Sequence, residues 1–105
     1  MTIPAFLGIG VKMGSDNKLR IDGVWGNSPA DHAGLQLNDI IVAMDGQKIA
    51  TEADYDAIRT TKAPGDQLVV EVSRADRSVT LTVRYPIEPS TEAENRYRLL
   101  PPYER

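Results

Sequence analysis

Several features are absent from this chain or rare in it, and each of them excludes or disfavours a class of function. None of its 105 residues is cysteine, so disulfides, thiolate zinc sites and a cysteine nucleophile are excluded, whereas the compartment stays open. The single histidine cannot form a His-rich metal cluster and gives catalysis little support. No apolar run approaches the roughly 20 residues that cross a bilayer, and no basic segment followed by a long apolar stretch opens the chain. We therefore expect a soluble chain without a membrane span, a cleaved leader, a metal or a cofactor.

Clusters of lysine and arginine are absent as well. The net charge is -3, and nucleic-acid binding needs grouped basic side chains that replace the counterions around phosphates. We therefore expect no nucleic-acid partner. The chain is instead 41% hydrophobic and 26% charged, which is typical of one globular domain at this length.

Turn residues divide the chain into short strands. Alternation between apolar and polar residues within 19–25 is interrupted near Gly23, which indicates a bulge. An Asp-Gly pair after residue 44 predicts a hairpin, and two β-branched segments near the end predict an antiparallel pair. The predicted strands cover residues 6–11, 19–25, 39–44, 47–49, 68–73 and 78–85.

Two helices are predicted, one short and one longer. Ser28 precedes a proline and Gly34 closes the segment, which predicts a capped helix of about one or two turns. Thr51 is the predicted N-cap of the longer helix, which has acids in its first turn and runs to about Lys62, before a Pro-Gly pair.

These elements predict an α+β fold, namely a small, partly open antiparallel β-barrel or sandwich of five or six strands capped by one short and one longer helix. Residues 1–86 would form this domain. Residues 87–105 have the proline, acids and lack of periodicity of a linker, and we expect an extended tail. The tail carries one apolar patch, Leu99–Pro101.

In the order of these elements and in several motifs, the chain resembles a PDZ domain. The resemblance covers roughly residues 5 to 85 and rests on ordered motifs, at Phe6–Ile9, Ser28–Leu35, Asn38–Ile41, Asp45–Gly46 and Pro64–Asp66. The chain begins at the carboxylate-binding loop, so it is similar to the permuted PDZ domains that accompany bacterial proteases of the HtrA class and glycyl aminopeptidases. Such a parent is commonly periplasmic or secreted. Two departures from the family pattern are Asn38, in place of the usual Gly, and Met44 with Asp45, in place of the frequent Ile-Asn.

A carboxylate at the end of a peptide needs several converging N–H donors, and successive amides in a tight turn provide them without a charged side chain. The resemblance assigns these donors to Leu7, Gly8 and Ile9. The following strand would pair with the incoming peptide, and Gly8→Val is expected to weaken binding while leaving the fold intact. The predicted peptide-binding residues are Phe6, Leu7, Gly8, Ile9, Gly10, Val11, Tyr55 and Ile58.

Each of these assignments has a plainer alternative. Phe6–Ile9 could be an ordinary edge strand with a bulge, and Tyr55 and Ile58 could be core residues at helical spacing. Asp39 and Asp45 are interpreted as structural acids that bond nearby amides. No serine has a histidine placed to form a triad with it, so no catalytic residue is predicted.

The predicted function is therefore non-catalytic binding of C-terminal or extended peptides by strand addition, with an apolar terminal residue preferred. The domain would be a substrate-binding or regulatory module of a bacterial protease or aminopeptidase. The alternative is a structural packing module whose groove is filled by its own tail or by another part of the parent protein. The oligomeric state stays open.

Overall fold

The computed structural model describes residues 6–86 and the backbone of residues 102 and 103. The strands are β1 (Ile9–Met13), β2 (Leu19–Trp25), β3 (Ile40–Met44), β4 (Gln47–Lys48), β5 (Gln67–Arg74), β6 (Arg77–Arg84) and β7 (Pro102–Tyr103). The helices are α1 (Pro29–Ala33) and α2 (Glu52–Arg59). Neither of these helices is long or apolar enough to span a bilayer.

All strands belong to one antiparallel sheet with the order β1-β2-β3-β5-β6, to which β4 and β7 attach at β3 and β2. The sheet does not close into a barrel. This open antiparallel sheet, together with the two helices, confirms the predicted α+β fold. The alternation of β5 turns Leu68, Val70 and Val72 inward, where they meet Ile21 of β2 and Val83 of β6 in the core.

A bulge on β2 bends the hairpin formed by β1 and β2. Gly10 pairs with Gly23 and Val11 pairs with Ile21, so Asp22 is the extra residue. A Cβ on Gly10 would lie 2.7 Å from Oδ1 of Asp22, so a side chain at residue 10 would require the exposed carboxylate to move. Because the extra residue is on β2, the alternation of β1 is unbroken.

Both predicted helices form, but α2 ends earlier than predicted. Thr51 and Asp54 form a capping box at its start. The helix ends at Arg59 and not at Lys62, because the hydroxyls of Thr60 and Thr61 donate to the backbone carbonyls of residues 56 and 58 and the chain tightens into turns.

Two aspartates hold the loops around the sheet. The buried Asp39 accepts two hydrogen bonds from Arg74, at 2.9 and 2.8 Å, and one from the amide of Gln36. Asp45 pairs with Lys62 and accepts a hydrogen bond from the amide of Val69 at 2.9 Å. Both side chains act as structural acceptors.

Two residues of the predicted tail join the sheet. Tyr103 pairs with Val24 and Pro102 pairs with Trp25. Since Val24 is already paired with Ile9 on one side, β7 occupies the opposite edge of β2 and not the outer edge of β1. The rest of the predicted tail, including Leu99–Pro101, lies outside the described residues.

Candidate peptide-binding site

The loop before β1 is anchored through its carbonyl oxygens. The amide of Ala30 donates to the oxygen of Leu7 at 3.1 Å, and the amide of Trp25 donates to the oxygen of Gly8 at 2.9 Å. In a trans peptide group the N–H points opposite to the C=O. The N–H groups of Gly8 and Ile9 are therefore directed away from the interior, on the side expected of carboxylate donors.

Gly8 is required by both its conformation and its surroundings. Its φ is +95°, in the left-handed region that favours glycine. A Cβ there would lie 2.2 Å from Cβ and 2.5 Å from Oγ of Ser28, whose side chain is completely buried and caps α1. The structure therefore contradicts the expectation that Gly8→Val leaves the fold intact, because the added side chain would collide with a buried residue that cannot move aside.

The outer edge of β1 presents unpaired backbone groups. The amide of Trp25 donates to the oxygen of Gly8, and these two residues are the neighbours of the Ile9–Val24 pair. In an antiparallel ladder this hydrogen bond makes Ile9 and Val24 a non-hydrogen-bonded pair. The N–H and C=O of Ile9 therefore face outward, as do those of Val11 and Met13 by alternation. Because β1 ends the strand order, no strand among the described residues covers this edge.

The side chains along β1 form an apolar wall. Ile9, Val11 and Met13 are half-buried and pack against the core, whereas Leu7 is only 3% exposed and belongs to the core. A peptide added to this edge would meet apolar side chains at every second position, which is the spacing of its own residues on one face.

Helix α2 contacts β1, and the candidate groove for a peptide is the region between them. Tyr55 is 4% exposed, so it lies in the core, and Ile58 is half-buried against the core. Burial raises the pKa of the Tyr55 hydroxyl, and the guanidinium of Arg59 lies 5.6 Å from the centre of its ring. Tyr55 can form only the floor of the groove, while Ile58 can contact a ligand directly.

Of the eight predicted site residues, five are partly exposed and three are buried. The exposed ones are Phe6, Ile9, Gly10, Val11 and Ile58. The buried ones, Leu7, Gly8 and Tyr55, contribute backbone groups or support.

Sequence reasoning missed three residues of this region. Met13 extends the apolar wall and is visible as the next position in the alternation. Ser28 fixes Gly8, but the sequence indicated it only as a helix cap and as part of the Ser28–Leu35 motif. Trp25 stacks edge-to-face on Phe6, with ring centres 6.1 Å apart and planes at 78°, a pair that only the tertiary structure brings together.

The fold and the site together define a small α+β domain in which an open strand edge faces a helix and begins at a glycine turn. A model of the PDZ domain family matches residues 5–84, and the chain belongs to that family. The resemblance to PDZ domains associated with proteases is thereby confirmed, since the similar structures include such proteins. No curated protein was found to match this chain.

Three solved structures show the similarity. The HtrA-type protease AlgW with a decapeptide superposes with a TM-score of 0.74 at 23% identity, over 83% of this chain and 30% of that one. The HtrA3 PDZ domain bound to the phage-derived ligand FGRWV gives 0.67 at 22% identity, over 78% and 85%. An aminopeptidase N family protein from Idiomarina loihiensis gives 0.70 at 30% identity, over 80% and 14%. The chain thus spans about a third of the HtrA-type protease.

Proposed function

We propose that this domain binds the C-terminal end of peptides by strand addition between β1 and α2. The observation that carries the proposal is the continuity of the outward amides of Gly8 and Ile9 with the unpaired edge of β1. The amides would receive the terminal carboxylate, and the edge would pair with the residues before it.

The side chains favour an apolar terminal residue. Ile9 and Ile58 are half-buried against the core, to which Leu7 and Tyr55 belong, and we expect the terminal side chain to pack against Ile9 and Ile58. Burying one apolar side chain contributes about 1.5 to 3 kcal/mol, and ordering the peptide offsets much of this gain. We expect dissociation constants of about a micromolar or weaker.

The relatives support this reading. The AlgW structure contains a decapeptide, and the HtrA3 PDZ domain is bound to a peptide that ends in valine. By the same similarity, the domain would serve as a non-catalytic substrate-binding or regulatory module of a larger protease or aminopeptidase. The alternative of a groove filled by the tail gains no support from β7, which pairs with β2.

The proposal is tested with two fluorescent peptides of identical sequence ending in valine, one with a free carboxylate and one with a terminal amide. Fluorescence anisotropy should show binding of the free acid and a loss of affinity of about tenfold or more for the amide, because the N–H donors of Gly8 and Ile9 lose their charged acceptor. A third peptide ending in aspartate controls for the apolar pocket and should bind weakly. Equal affinity of acid and amide would show that the amides of Gly8 and Ile9 are not the carboxylate site.

A further inference from the structure

A second cleft of about 500 Å³ lies at the end of the domain remote from Gly8. We call it the lysine cleft. Its lining includes Lys18, Ile40, Val42, Lys48, Ile49 and Ala50. None of these residues belongs to the peptide-binding set proposed above.

The cleft exists because β2 and β4 pair with the same edge of β3 at different positions and leave a gap between them. The pairing of β2 with β3 is limited to Arg20 and Ile40. Further along the same edge of β3, Lys48 of β4 pairs with Ala43, and the amide of Ile49 donates to the oxygen of Val42 at 2.9 Å. The first residues of β2 diverge from β3 to make room, and the gap between them and β4 is the cleft.

The walls of the lysine cleft continue the walls of the peptide groove. On one side, Lys18 lies in the hairpin that directly follows β1. On the other side, Ala50 precedes Thr51, the N-cap of α2. A chain that leaves the groove past Met13 therefore arrives between the same two segments of the protein.

The direction of the proposed ligand brings its upstream residues to this end. With the carboxylate at Gly8, the peptide runs antiparallel to β1, so its earlier residues lie toward Met13. The five residues of β1 extend over about 16 Å at about 3.3 Å per residue. Residues more than about five positions before the terminus would then reach the lysine cleft.

The chemistry of the cleft is cationic at the rim and apolar at the floor. Lys18 and Lys48 are exposed, and neither forms an ion pair within residues 6–86. No aspartate or glutamate lines the cleft. Val42, one of the two large hydrophobic residues that are exposed in the described part of the chain, is 37% exposed and belongs to the lining.

We infer that the lysine cleft binds the acidic upstream segment of the same peptide whose C-terminus occupies the groove. The partner is thus a protein whose C-terminus is apolar and is preceded, about five to eight residues earlier, by glutamate or aspartate. This inference rests on the proposed function, since it takes its direction from the carboxylate at Gly8.

Three peptides that share the same five C-terminal residues separate the two proposals. One has only those five residues, one adds five residues rich in glutamate, and one adds the same five with glutamine in place of glutamate. At about 0.05 M salt the glutamate peptide should bind about fivefold more tightly than the glutamine peptide, and about 0.3 M salt should remove most of the difference. If the five-residue peptide binds but the two longer ones bind equally, this inference fails while the proposed function stands. If none of the three peptides binds, the proposed function fails.

Two double variants locate the effect. Lys18→Gln with Lys48→Gln should abolish the preference for glutamate and leave the five-residue peptide unaffected. Arg77→Gln with Arg84→Gln removes the same charge from exposed positions of β6, outside the cleft, and should preserve the preference. If both double variants lose the preference for glutamate equally, the preference comes from the net charge of the domain, and the inference about the lysine cleft is wrong.

A third pair of variants tests the floor of the cleft. Val42→Glu places an acidic side chain in the cleft beside the two lysines and should reduce the preference for the glutamate peptide. Val69→Glu makes the same change at a residue that is 40% exposed on β5 and does not line the cleft. It should leave the preference intact, and an equal reduction in both variants would contradict the inference.

Discussion

The sheet has two edges, and a helix lies beside each of them. At one edge α2 faces β1, and at the other α1 packs against β6. At the second edge an open pocket of about 280 Å³ is lined by Pro29, His32, Ala33, Thr82 and Arg84. Both edges therefore combine a strand with a neighbouring helix.

The two edges differ in the side chains and in the turn that precedes the strand. Along β1 the residues Ile9, Val11 and Met13 offer apolar contacts at regular spacing. Along β6 the pocket meets Thr82 and Arg84, and the strand begins directly after the tight turn at Ala75 and Asp76. Since the β1 edge combines an apolar wall with outward amides at a glycine turn and the β6 edge does not, we expect peptide binding at the β1 edge only.

The largest expected difference between the edges concerns two glycines with the same φ of +95°, Gly8 before β1 and Gly34 at the end of α1. Gly8→Ala adds a collision with Ser28 to the backbone strain, and we expect the free energy of unfolding to fall by about 3 kcal/mol. At Gly34 a Cβ would meet only Cδ2 of Leu81, at 3.9 Å, so Gly34→Ala should cost about 1 kcal/mol from strain alone.

Urea unfolding followed by tryptophan fluorescence measures both variants. Losses of equal size would show that Ser28 yields to the added methyl, and the glycine turn would then be set by φ alone. In that case the contact with Ser28 would not make Gly8 harder to replace than Gly34.

Much of the β1 edge could be predicted from local sequence, because glycine turns, caps and alternation are local signals. The Phe6–Ile9 motif placed the loop, and the break near Gly23 placed the bulge within one residue of Asp22. Contacts between distant segments could not be predicted. The packing of Ser28 on Gly8, the choice between core and groove for Tyr55, and the lysine cleft all depend on how separate elements meet.

The next expected difference concerns two half-buried apolar residues that pack against the core, Ile9 on β1 and Leu81 on β6. Either substitution by alanine should lower the free energy of unfolding by about 1 to 2 kcal/mol, because each side chain is only partly buried. Only Ile9→Ala should weaken peptide binding, by about tenfold, since Ile9 forms the wall of the groove.

Thermal unfolding and fluorescence anisotropy on the same samples separate the two effects. Leu81→Ala is the matched control for any loss of affinity that follows from lower stability. If both variants bind the valine-ending peptide equally weakly, the apolar wall of β1 does not distinguish the two edges.

The smallest expected effect concerns the ion pair between Asp45 and Lys62, which connects the segment after α2 to the sheet. Burial raises the pKa of Asp45, but hydrogen bonds from Lys62 and the amide of Val69 outweigh it and lower the pKa below the ordinary value of 3.8. A carboxyl whose pKa is lower in the folded state stabilises the fold above its unfolded pKa, and this stabilisation is lost as the pH falls through the folded pKa.

Asp45→Asn should therefore lower the free energy of unfolding by about 1 kcal/mol near pH 7, and the difference from the unchanged protein should shrink toward about pH 3. Asn tolerates the φ of +50° at this position, so the substitution isolates the charge. Asp76→Asn is the control at the turn before β6, where φ is +65° and the carboxylate accepts no hydrogen bond within residues 6–86. Urea unfolding at several pH values should show a pH-dependent difference for Asp45→Asn only. Parallel curves for both variants would mean that packing, and not the Asp45–Lys62 ion pair, holds the segment after α2 to the sheet.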